Sequence, residues 1–181
     1  MPKFSIPRVL TVLAASCVFT ACSPKFDWRD YRSLDAPYTA LFPGKPSTHT
    51  RTINLDGLQV SMTMTASDVD GSTFAVGSAV LPDAAMAPLA LAAMKTALIN
   101  NVGATVNHDK ASSPAQTSAT ASTDMHALDI NARGMQHGTP MLLVGRLLAR
   151  DKQIYQVIVL AKEADVSREN IDMFLTSFKL N

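Results

Sequence analysis

The sequence predicts an α+β domain, an antiparallel sheet of about six to eight strands covered by two helices. Three observations point there. Asp56-Gly57 and Asp70-Gly71 stand between alternating runs, the pattern of two-residue hairpin turns. Residues 141–149 and 154–161 are two strongly apolar runs on either side of Arg150-Asp151-Lys152-Gln153. Ile171, Phe174, Leu175 and Phe178 recur at i, i+3, i+4 and i+7, one helical stripe fit to lie across a sheet.

In chain order, residues 23–38 mix Phe26, Trp28, Tyr31 and Tyr38 with Asp27, Arg29, Asp30, Arg32 and Asp35. That is too charged and too short for a Gly/Ser tether, so it is expected to pack at least partly on the domain. Trp28 suits a bilayer interface or the edge of the core, and the large area an aromatic buries favours the core. Residues 38–42 are a short strand, ended by the breaker cluster Pro43-Gly44-Lys45-Pro46.

If Asp56-Gly57 is the whole loop, Leu55 faces Leu58, Ile53 faces Val60, Arg51 faces Met62 and His49 faces Met64. The opposite side pairs Asn54 with Gln59, Thr52 with Ser61 and Thr50 with Thr63, all polar. One face is thus buried and one is wet. The next strand is apolar on both sides, with Phe74, Val76 and Val80 on one and Ala75, Ala79 and Leu81 on the other, as in a central strand.

Residues 88–102 read as a helix through Leu91, Met94, Leu98 and Val102, with Pro88 in its first turn and Asp83 as an alternative, earlier cap. Residues 104–108 read as a strand, and 110–122, rich in Ala, Ser and Thr, as a mobile loop. Another alternating strand follows, with His126, Leu128, Ile130 and Ala132 on one face and Asp129, Asn131 and Arg133 on the other, and residues 134–138 turn the chain. Ser167 is placed to cap the last helix, with Val166 packing on Ile171.

Ahead of this domain, residues 9–22 form an apolar run behind Lys3 and Arg8 with no acid, the pattern of a secretory signal. The run falls short of the about 20 apolar residues a spanning helix needs. Its end, Phe19-Thr20-Ala21-Cys22, resembles the bacterial lipobox, after which cleavage leaves a lipid-modified cysteine at the N-terminus. Cys17, after Ala14-Ala15-Ser16, is a competing site that would shorten the apolar run. The lipobox resemblance implies lipidation of Cys22 and an anchor facing the periplasm; Ser23 in place of Asp implies the outer membrane. The expected division is a signal peptide over 1–21, an anchor and lead-in over 22–37, and one domain over 38–181.

Of 16 Lys and Arg, Lys3 and Arg8 leave with the signal, so 14 cations face 15 Asp and Glu. That balance disfavours nucleic acid or anionic lipid as the main partner, since both call for a basic surface. Cys17 and Cys22 are the only cysteines, so the mature domain has neither a disulfide nor a free thiol nucleophile. The sequence carries no Gly-x-Ser-x-Gly elbow, phosphate-cradling Gly loop or His-Glu-x-x-His, and no enzyme activity or cofactor is expected.

One alternative calls for geometry. The hairpin register opposes His49 to Met64 with Met62 on the same side, one imidazole and two thioethers, which suit Cu(I). The same face carries Ile53, Leu55, Leu58 and Val60, so the simpler reading makes both methionines core.

The Phe42-Pro43 opening, the mid-chain helix, the long apolar hairpin and the final Phe174-Leu175-Thr176-Ser177-Phe178 resemble small PsbP-like domains. More closely, the chain is similar to proteobacterial envelope lipoproteins with a Phe-Pro-Gly-Lys-Pro start. That resemblance implies a binding or assembly module with no catalytic residues to carry over; the anchor, the near-neutral charge and the missing catalytic set point to another envelope protein as its partner. The alternative is a small-ligand or copper-binding periplasmic lipoprotein.

Overall fold

Three hairpins of the computed structural model, which describes residues 25–103, 125–165 and 167–181, close on turns with positive φ at both central residues. Asp56-Gly57 stands at 53° and 92°, Asp70-Gly71 at 55° and 70°, and His137-Gly138 at 50° and 81°. Such turns twist in the sense of the strands they join. Glycine and aspartate adopt this conformation most easily.

The elements are β1 (Arg29–Arg32), β2 (Tyr38–Phe42), β3 (Ser47–Leu55), β4 (Leu58–Val69), β5 (Ser72–Val80), α1 (Ala87–Asn101), β6 (Met125–Gln136), β7 (Thr139–Arg150), β8 (Gln153–Lys162), α2 (Arg168–Ser177) and β9 (Lys179–Leu180). Six strands make an antiparallel sheet in the order β3-β4-β5-β8-β7-β6, and β1-β2-β9 make a second, small sheet. The fold is α+β, as expected. The small sheet was not foreseen.

The β3–β4 register is the one the Asp56-Gly57 turn requires, from Leu55 opposite Leu58 to His49 opposite Met64. β5 lies between β4 and β8, the central place its two apolar faces call for. Ala75 and Ala79 meet α1, with Leu91, Met94, Leu143, Leu147 and Ile154. Phe74 and Val76 face the other way, toward Tyr38, Phe42, Tyr155 and Phe174. The sheet therefore carries one core on each side, under α1 and under α2 with the small sheet.

The second core is aromatic. Phe74 meets Phe26, Trp28 and Phe174 edge-on at 6.3, 6.1 and 5.4 Å between ring centres. Tyr38 packs on Tyr155 and Phe178 at 6.1 and 5.5 Å. The edge-to-face pairs among these contribute about 0.5–1.5 kcal/mol each beyond their buried area. Trp28 thus packs on the core, and the lead-in enters the fold as β1, paired with β2 from Arg29–Phe42 to Arg32–Thr39. Pro43-Gly44-Lys45-Pro46 carries the chain from the small sheet into the large one.

Several expectations need correction. Residues 134–136 do not turn; they extend β6, and the turn is His137-Gly138 alone. His126 and Leu128 are exposed while Ile130 and Ala132 are buried. The cause is the course of α1, whose end reaches the last residue of β6, where Gln136 Nε2 donates to the Asn101 carbonyl at 3.1 Å. Val80 shares the side of Phe74 but is 57% exposed, beyond the cover of the second layer. Asp83 caps a short 3-10 turn over Ala84–Met86 rather than α1 itself, and Pro88 lies in the first turn of α1. Ser167 caps α2, accepting from the Asn170 amide. The strand expected at 104–108, the loop at 110–122 and the packing of Val166 lie outside the described residues.

The polar atoms of the aromatic layer are unequally served. Tyr38 Oη donates to Thr65 Oγ1 at 3.2 Å, and Thr65 in turn meets Thr48. Tyr155 is fully buried, and its hydroxyl has no hydrogen-bond partner among the described residues. Burial raises the pKa of both tyrosines above 10.0, a shift eased at Tyr155 by Arg150 and at Tyr38 mainly by the Thr65 hydrogen bond. A raised folded pKa means stability intact below the unfolded value and lost as pH climbs above it.

An orphaned buried hydroxyl costs about 1–3 kcal/mol. Tyr155→Phe, which keeps the ring contacts, is therefore expected to raise the urea midpoint at pH 7, and to lose less stability than the parent above pH ~10. A lower midpoint at pH 7 would show that the hydroxyl has a partner.

Candidate functional site

Two arrangements of side chains warrant a functional reading. The first is the His49, Met62 and Met64 set on the α1 side of the β3–β4 hairpin. The register opposes His49 to Met64 as expected. Met62 is 3% exposed and belongs to the α1 core, opposite Ala79 on β5. Met64 is half-buried, while His49 is exposed at the sheet edge.

The sulfur of Met64 already has a partner that the sequence did not reveal. Gln156, buried in the middle of β8, donates through Nε2 to Met64 Sδ at 3.0 Å. The two residues lie on strands that flank β5, and they meet over Gly77 between them. A Cβ at Gly77 would lie 2.6 Å from both Met64 Sδ and Gln156 Cγ, so only glycine leaves room for the contact. Among the described residues no group of three or more His, Cys, Asp or Glu side chains is placed to hold a metal ion.

The second arrangement is a notch of about 280 Å³ where the tip of the β3–β4 hairpin meets the start of α1. Leu55, Leu58, Met86, Leu89 and Ala90 line it, with Asp56 at its lip. Pro88 and the Asp83-capped turn set where α1 begins, and the Asp56-Gly57 turn sets where the hairpin ends. Leu89 is 74% exposed and Met86 39%, unusual positions for large apolar side chains. The notch is smaller than most small-ligand pockets and lacks their convergent polar groups. Its size and lining suit one or two apolar side chains of a partner.

A signal for the notch existed in the sequence. Leu89 lies two positions before Leu91, about 200° around the helix at 3.6 residues per turn, and so off the core stripe. Cys22, the expected lipidation site, lies outside the described residues. Among those described, no helix is long and apolar enough to cross a membrane.

No family model matches the chain, and no curated protein matches its sequence.

The two roles for the methionines separate by mutation. If they are core, His49→Ala changes stability by no more than about 0.5 kcal/mol. Met64→Leu costs about 1–3 kcal/mol because the Gln156 amide loses its acceptor. Titration with Cu(I) then shows no stoichiometric binding. A tight Cu(I) complex weakened in both variants would establish the metal site instead.

Proposed function

We propose that the chain is a lipoprotein of the bacterial envelope, anchored through an acylated Cys22 and facing the periplasm. In this reading its folded domain is a non-catalytic binding or assembly module for another envelope protein. The observation that carries it is the cationic, apolar run ending in Phe19-Thr20-Ala21-Cys22. One acyl chain holds a protein only marginally and two hold it stably, so a lipoprotein's three would make the attachment lasting. Ser23 after the cysteine favours the outer membrane.

The apolar notch supports the binding half of the proposal. Exposed Leu89 beside Leu58 and Met86 is surface of the kind that a partner covers. The resemblance to PsbP-like domains agrees with the same reading. The opening Phe42-Pro43, the mid-chain helix α1, the long β7–β8 hairpin and the closing helix α2 occur in that order.

Cys22→Ala is expected to abolish incorporation of labelled palmitate and to release the domain from membranes or leave its signal uncut. A photocrosslinker at Leu58 is expected to trap one envelope protein, and Leu89→Glu to remove that adduct at an unchanged thermal midpoint. Palmitate retained by Cys22→Ala would overturn the anchor. An adduct unaffected by Leu89→Glu would overturn the notch as the binding surface.

A further inference from the structure

The place where the lead-in joins the domain limits how the domain can stand on a membrane. Lys25 pairs with Asp70 in the β4–β5 turn. Phe26 stacks on Trp28 and meets Phe74 edge-on, and the Asp27 amide donates to the Pro43 carbonyl at 2.9 Å. Three independent contacts thus hold residues 25–28 at one end of the large sheet. Lys162 lies at that end too, its Cε 3.9 Å from where a Cβ on Gly71 would stand.

The notch lies at the opposite end, beside the Asp56-Gly57 turn. β4 runs from one end to the other over 12 residues. At ~3.3 Å per residue its ends are roughly 36 Å apart. Only two residues separate Cys22 from Lys25, so Lys25 lies within about 11 Å of the cysteine however the chain between them runs.

From this geometry we infer that the bilayer is the partner of the Asp70-Gly71 end of the domain, and that the apolar notch is held at the far end, facing away from the anchoring membrane. The inference rests on the proposed acylation of Cys22. The partner of the notch then belongs to the space beyond the domain or to a structure facing that membrane.

Single cysteines test this in the full acylated chain, because the sulfur of Cys22 is blocked by its lipid. Lys162→Cys and Gln59→Cys are both exposed positions, one at each end of the sheet. Each variant is purified from membranes, labelled with a donor fluorophore and placed in phosphatidylethanolamine–phosphatidylglycerol vesicles carrying a headgroup acceptor. A separation of roughly 36 Å predicts energy transfer at least ~3-fold stronger from position 162 than from position 59. Equal transfer, or stronger transfer from position 59, overturns the orientation while leaving the anchor standing. A chain that mass spectrometry shows to carry no acyl group overturns both.

Discussion

The structure depends on a sheet whose middle strands are apolar on both faces. β5, β8 and β7 place Ala75, Ala79, Ile154 and Leu147 on one side, and Phe74, Val76, Tyr155 and Val157 on the other. A single covering layer would leave half of these side chains in water. Each fully buried large apolar side chain contributes about 1.5–3 kcal/mol, so both faces need a cover. α1 supplies one. The other is built from pieces distant in sequence: the lead-in strand, β2, α2 and two residues at the C-terminus.

That second cover ties the chain's start to its centre. Phe26 and Trp28 close the aromatic layer over Phe74, and Ser177 Oγ accepts from the Leu41 amide at 2.9 Å, joining α2 to β2. The surface ion pairs Arg146–Asp129 and Arg133–Glu163 add little, being exposed and screened. The consequence for function is mechanical. If Cys22 is acylated as proposed, a lead-in locked into the core passes the position of that anchor directly to the domain, where a flexible linker would not.

Much of the large sheet was legible in the sequence because its information is local. Asp56-Gly57 and Asp70-Gly71 name their turns, and a period of two decides which residues face inward. Helix α2 was equally plain from its N-cap Ser167 and the stripe Ile171, Phe174, Leu175 and Phe178. The small sheet was not legible. β1 is four residues, three of them charged, and β9 is two; both exist only because β2 lies alongside them. His137-Gly138 was obscured by Gly134, which in sequence looks like an earlier break. Leu89, off the core stripe, marked one wall of the notch, but the closing of that notch and the Met64–Gln156 contact depend on where α1 docks and on which strands flank Gly77, relations between elements that no single stretch encodes.

Hydrogen exchange along Arg29–Arg32 tests most directly whether the lead-in is part of the fold. In the mature chain, the hydrogen-bonded amides of β1 should exchange only through large openings, with protection approaching that of β5 and β8. Exchange at the rate of an unstructured peptide, with β5 and β8 still protected, would contradict this account. The lead-in would then be a loose tether, and neither the second core nor the orientation of the domain would rest on it.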